Sequence, residues 1–186
     1  KHHVEEFKNA YRRVIEAAYP NIASNPDYTS IVSARQFQRL NQYLTEAESM
    51  GATVERICPG DAPAPEARIL PPTMVFETTP DMKLMQEEIF GPVLPIKTYD
   101  RVEEAISYVN AHDRPLGLYY FGQDAAEQKQ VLERTVSGGA TVNDVIFHVA
   151  AEDLPFGGVG PSGATKGGAS GFLRIRMSPL GRRSGA

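Results

Sequence analysis

The residues whose types and spacing could do chemistry lie in one short stretch, Met85-Gln86-Glu87-Glu88-Ile89-Phe90-Gly91-Pro92-Val93. Two adjacent carboxylates run into an aromatic ring and then a Gly-Pro chain reversal. A carboxylate is an acceptor-only group suited to binding hydroxyls. Read by type alone, an acidic pair is a solvated helix end, since charged side chains are mostly exposed. Cys58 is the sole cysteine. It lies in Ile57-Cys58-Pro59-Gly60, where nothing nearby supplies the electropositive setting that a nucleophilic thiol needs, so it reads as a structural or surface thiol. His2 and His3 stand at the terminus, and His112 and His148 lack the spacing of metal ligands. Gly158-Val159-Gly160-Pro161-Ser162-Gly163 satisfies G-x-G-x-x-G by letter, but no acidic residue follows about 20 positions on and more glycine follows instead, so a phosphate-binding reading is not supported.

The elements that must position these residues follow from periodicity. Val4, Phe7, Tyr11, Val14 and Ala18 recur at helical spacing until Pro20, which predicts a helix over 4–18. Ser33-Ala34-Arg35-Gln36 has the form of a capping box, with Phe37, Leu40, Leu44 and Ala47 as the buried stripe and Gly51 as the stop. Thr53 to Ile57 is a strand candidate that the Pro-rich loop from Pro59 to Pro65 must end. Met74-Val75-Phe76 is a second extended piece. Beyond the acidic stretch come a strand over 93–99 and a capping box at Asp100-Arg101-Val102-Glu103. Its helical stripe is Val102, Ala105, Ile106 and Val109. An apolar run over 116–121 follows, then a helix capped at Asp124 and ending near Arg134, then a run over 140–149. Strand, helix, strand, helix, strand at this spacing predicts an α/β fold with right-handed crossovers and a parallel sheet. From Leu154 onward the composition turns glycine-rich and loop-like.

Composition bounds the function classes. The 186 residues suit one ordinary domain, and 41% apolar with 23% charged residues is a globular mix. A net charge of -4 without clustered Lys and Arg argues against nucleic acid and anionic membrane as partners. No apolar run approaches the ~20 residues that span a bilayer, and no apolar segment follows Lys1-His2-His3. A lone cysteine is compatible with a reducing compartment, so the expected location is cytoplasmic.

The stretch from Pro80 to Ile96 resembles the E-E-I-F-G-P segment of the aldehyde dehydrogenases. Asn25-Pro26-Asp27-Tyr28, Arg35-Gln36-Phe37-Gln38-Arg39-Leu40, Pro115-Leu116-Gly117-Leu118-Tyr119-Tyr120-Phe121, Ser137-Gly138-Gly139 with Asn143-Asp144-Val145, and Leu154-Pro155-Phe156-Gly157-Gly158-Val159-Gly160 fall in family order. They resemble its class 3 and coniferyl aldehyde dehydrogenase branch. The resemblance covers roughly positions 4 to 163 and implies the C-terminal part of the catalytic domain.

It implies NAD or NADP as cofactor and an aldehyde as substrate. Glu88 would accept hydrogen bonds from the nicotinamide ribose, and Phe90 would face the nicotinamide ring. Asn143 would lie beside the active site, and Phe156 would help wall the aldehyde tunnel, with packing or turn formation as the alternative role for each. The family's cysteine nucleophile and glutamate base would lie upstream of Lys1, so no catalytic residue is assigned and the chain is expected to be inactive without that N-terminal half. A stand-alone, non-catalytic binding or assembly module is the alternative.

Residues 164–186 form a divergent Gly/Arg-rich tail. Ala164-Thr165-Lys166-Gly167-Gly168-Ala169-Ser170 stands where the branch has a Tyr-His-Gly stretch, and Leu173-Arg174-Ile175-Arg176-Met177-Ser178 does not match its Phe-Ser-His. This departure bears on the homo-oligomer, because the family's C-terminal strand joins the oligomerisation sheet. A natural variant and a disrupted reading frame would both account for it.

Overall fold

The computed structural model describes residues 3–150 and 157–162, in two compact units, 1–98 and 99–186. In the first, α1 (Val4–Ala18) and α2 (Ala34–Ser49) precede β1 (Thr53–Arg56). A 3-10 turn (Pro65–Ala67), β2 (Thr73–Phe76), α3 (Lys83–Gln86) and β3 (Val93–Pro95) follow. The sheet has the order β1-β2-β3, antiparallel between β1 and β2 and parallel between β2 and β3.

Central β2 is buried along its whole length because both of its faces are covered. Side chains alternate across a strand. Val75 joins Leu40, Tyr43, Leu44, Ala47, Met82 and Leu84 in a cluster on the α2 side. Met74 and Phe76 instead join Ile15 and Ile57, with Tyr11 of α1 against them. The ion pair of Lys8 with Glu55 also ties α1 to β1.

Helix α2 starts where the sequence places it: the Ser33 hydroxyl accepts the Gln36 N–H at 3.2 Å. Its buried stripe gains Tyr43. Strand β3 is shorter than the expected 93–99. Its partner β2 ends at Glu77, whose φ of 52° turns the chain. After Ile96 N–H bonds Val75 O at 2.8 Å, no further ladder backbone is offered.

In the second unit, α4 (Val102–Asn110), β4 (Gly117–Tyr120), α5 (Ala125–Arg134) and β5 (Gly139–Val142) alternate as expected, and β4 and β5 pair in parallel, Gly117 opposite Gly139. The expected box at Asp100 is shifted. Arg101 is the N-cap without a side-chain cap bond, and the Glu104 carboxylate accepts the Asp100 N–H at 3.2 Å. Ile106 of the expected stripe is inside all the same, at 2% exposure. The run over 140–149 breaks at Asn143, φ 55°, and continues as a short helix α6 (Phe147–Ala150). Asn enters this left-handed region more readily than most residues.

Asp124 caps α5 as expected, its Oδ1 accepting from Ala126 N–H at 2.8 Å and Glu127 N–H at 3.1 Å. Asp124→Ala should cost about 1 kcal/mol, measurable by urea denaturation. Tyr120 is buried, and its hydroxyl donates to Glu127 Oε1 at 2.9 Å. Burial, then the Glu127 hydrogen bond, pushes its pKa up to about 12 from the usual 10.0. A phenol with a raised folded pKa stabilises the fold fully below pH 10.0, and that contribution is lost as pH rises through about 12. Between about pH 9 and about pH 11, Tyr120→Phe should lose less urea stability than the unsubstituted chain.

Candidate functional site

The Glu87–Pro92 loop is built on α2. Met82 and Leu84 are buried against that helix, and Glu46 of α2 accepts the Lys83 N–H at 3.1 Å, so α3 is held at its start. At its other end the Glu87 N–H bonds Lys83 O at 2.9 Å, and the Glu87 carboxylate accepts the Tyr43 hydroxyl. Arg39, one turn before Tyr43, donates through Nη1 to Glu88 O at 3.1 Å and through Nη2 to Ile89 O at 2.6 Å. Its Nε donates to Gln36 Oε1 at 2.6 Å.

The far side of the loop is fixed by contact and by the sheet. A Cβ on Gly91 would stand 2.6 Å from Leu40 Cδ1, so glycine lets the backbone lie this close to α2 without displacing that buried side chain. Pro92 O then accepts the Thr73 N–H at 2.8 Å and leads into β3.

Between these anchors, the two residues singled out by sequence are left outward. The Glu88 carboxylate has no partner among the described residues and is exposed. Phe90 is 79% exposed and has φ 50°. A bulky aromatic at positive φ is a backbone outlier of the kind that gathers at ligand sites. The loop therefore offers an unengaged acceptor and an apolar ring two residues apart. That pair can bind a group carrying hydroxyls next to a flat ring.

The other residues sort differently. Asn143 is exposed, but its Oδ1 accepts Gly122 N–H at 2.9 Å and its Nδ2 donates to Gly122 O at 3.0 Å, closing the exits of β4 and β5. Phe156 and Gly163 lie outside the described residues. Gly160–Ser162 is a 3-10 turn closed on itself, with Ser162 Oγ accepting from Val159 N–H and donating to Val159 O, both at 3.0 Å. Cys58 is exposed, and desolvation pushes its thiol pKa up, away from a reactive thiolate. His148 is seated over the facing glycines Gly117 and Gly139, with Nδ1 3.2 Å from Thr141 Oγ1. Among the described residues no three His, Cys, Asp or Glu side chains are grouped to hold a metal, and no helix is long and apolar enough to cross a membrane. A shallow concavity of about 640 Å³ along α2, lined by Phe37, Asn41, Thr45 and Ser49 among others, includes neither Glu88 nor Phe90.

Sequence reasoning missed Arg39 and Tyr43. Their signal was the i, i+4 spacing that puts a guanidinium and a phenol side by side on one helix face.

The profile of the aldehyde dehydrogenase family matches residues 1–175. The chain belongs to the aldehyde dehydrogenase family. Among its relatives, a probable coniferyl aldehyde dehydrogenase of Caulobacter vibrioides is 55% identical over 162 residues, 86% of this chain and 33% of the relative. The coniferyl aldehyde dehydrogenase of a Pseudomonas species is 48% identical over 162 residues, with 86% and 34% covered. The substrate-bound Staphylococcus aureus AldH superposes with a TM-score of 0.77 at 35% identity, covering 88% of this chain and 34% of that one. An aldehyde dehydrogenase C mutant of Pseudomonas syringae, in complex with NAD+ and octanal, superposes with a TM-score of 0.61 at 30% identity, covering 72% of this chain and 27% of that one. This aldehyde dehydrogenase chain thus spans about a third of the length of the curated relatives it matches. Its α/β architecture is that of the family's catalytic domain.

Proposed function

We propose that these residues are the C-terminal part of the catalytic domain of an NAD(P)-dependent aldehyde dehydrogenase of the coniferyl and class 3 branch, and that the Glu87–Pro92 loop is one wall of its dinucleotide site. The carrying observation is the pairing of an unengaged Glu88 carboxylate with an exposed Phe90 ring at φ 50°, both on a loop tied firmly to α2. A nicotinamide ribose fits that pair: its hydroxyls are donors for an acceptor-only carboxylate, and its base has a flat face for the phenyl ring.

The bound dinucleotide would accept a hydride from the substrate. Glu88 orients the ribose, and Phe90 covers the ring and excludes water. Orientation of this kind acts directly on rate, because hydride transfer needs the two carbons close and aligned. The thiolate nucleophile and the general base come from sequence outside these residues, so this chain alone does not oxidise aldehydes. Phe156 and Asn143 are assigned to the aldehyde substrate on the family resemblance alone. A cytoplasmic setting accords with the single cysteine. The names of the similar coniferyl enzymes favour an aromatic aldehyde as substrate.

The intact protein carrying this sequence should reduce NAD+ or NADP+ when coniferyl aldehyde is supplied, followed by absorbance of the reduced nicotinamide. The 186-residue chain should give no such turnover. Turnover by the short chain, or none by the intact protein with any aldehyde, would overturn the reading.

A further inference from the structure

Two adjacent glutamates head the loop, and they are not equivalent. The Glu87 carboxylate is taken up by the Tyr43 hydroxyl, whereas the Glu88 carboxylate is left without a partner among the described residues. The backbone that carries Glu88 is held by the guanidinium of Arg39. Its fork grips two consecutive carbonyls, Glu88 O at 3.1 Å and Ile89 O at 2.6 Å. Nε is held by Gln36 Oε1 at 2.6 Å, and Nη1 also meets the Tyr43 hydroxyl oxygen at 3.3 Å. The guanidinium carbon stands 5.1 Å from the centre of the Tyr43 ring, which is itself buried in the α2 cluster. Helix, phenol and guanidinium therefore make one rigid support.

Gripping two successive carbonyls fixes two successive peptide planes. The second of these enters Phe90, whose φ of 50° is costly for an aromatic residue. Such a conformation persists only where the surroundings over-determine it. Once these two bonds are lost, Phe90 relaxes toward negative φ, and its ring and the neighbouring Glu88 carboxylate turn away together. Lysine cannot replace the fork, because an ammonium is a point donor that does not span two carbonyls in a fixed plane.

We propose that Arg39 is a positioning residue for the dinucleotide site, holding Glu88 and Phe90 in their working conformation, with the Tyr43–Glu87 hydrogen bond as its second tether. The proposal rests on the loop being the cofactor wall. Arg39 acts through the loop backbone.

The test uses Arg39→Met, Arg39→Lys and Tyr43→Phe. In the 186-residue chain without cofactor, chymotryptic cleavage after Phe90, resolved by mass spectrometry, should quicken in the order Tyr43→Phe, Arg39→Lys, Arg39→Met. In the intact protein, kcat/KM for NAD+ should fall about ten- to a hundredfold for Arg39→Met and about three- to tenfold for the other two, with KM for the aldehyde unchanged. If Arg39→Met fails to fold, the two milder variants carry the same comparison. Unchanged cleavage after Phe90 overturns the proposal. So does unchanged NAD+ kinetics in folded Arg39 variants when Glu88→Gln does slow the enzyme. If Glu88→Gln also leaves turnover intact, the cofactor-wall reading itself has failed and the proposal falls with it.

Discussion

Glu88→Gln should lower turnover of the intact protein by about 10- to 100-fold while leaving the folding stability of this chain unchanged. The two halves of that expectation have separate causes. Glutamine keeps one carbonyl acceptor and the shape of the side chain but loses the charge. Hydrogen bonds to a charged group are worth roughly 1.5–3 kcal/mol, about twice a neutral one, so the bonds from two ribose hydroxyls together lose about 1.5–3 kcal/mol, which converts to the stated loss in rate if it is felt in the transition state. Stability should not move, because the carboxylate is exposed and has no partner among the described residues. Surface substitutions of that kind stay within about 0.5 kcal/mol. Steady-state kinetics with NAD+ beside urea denaturation measures both. Wild-type turnover in this variant would remove Glu88 from the site.

Leu40→Ala should do the opposite, acting first on stability. Leu40 is 1% exposed, at the heart of the cluster that joins α2 to β2 and α3. Truncating a leucine so placed costs about 2–5 kcal/mol, the lost transfer free energy plus a cavity. A domain's whole stability is about 5–15 kcal/mol, so the urea midpoint should drop steeply. Leu40 also forms the seat against which Gly91 rests. The empty volume lies directly under the loop, so NAD+ affinity of the intact protein should weaken even at temperatures where the variant stays folded. A midpoint within experimental error of the parent would contradict the packing described for α2.

The pattern of what was legible in the sequence has a physical basis. The bounds of α1 and of α5 with its Asp124 cap were readable because a helix is made of local bonds, and its stripe and cap lie within a few residues. Strand ends were not. β3 and β5 stop where a neighbour ends or a residue turns to positive φ, at Glu77 and Asn143, and apolar run length carries neither fact. The antiparallel sense of β1 against β2 was equally silent, since pairing direction is set by tertiary placement.

The candidate site divides the same way. Glu88 and Phe90 stood out by type and by family resemblance. Tyr43 escaped the predicted stripe because its polar tip disguises a buried ring. The grip of Arg39 joins positions 49 and 50 residues apart, a distance no local pattern spans. The role of Asn143 at the turn closed by Gly122 was among the alternatives the sequence left open, and both of its polar atoms are engaged there.

The most direct test of the cofactor wall is a magnetisation-transfer experiment on the intact protein with NAD+ bound, Phe90 being selectively labelled. The account predicts transfer between the Phe90 ring protons and the nicotinamide protons, lost when Arg39 is replaced by Met. Bound NAD+ whose nicotinamide protons show no transfer to Phe90 would contradict it.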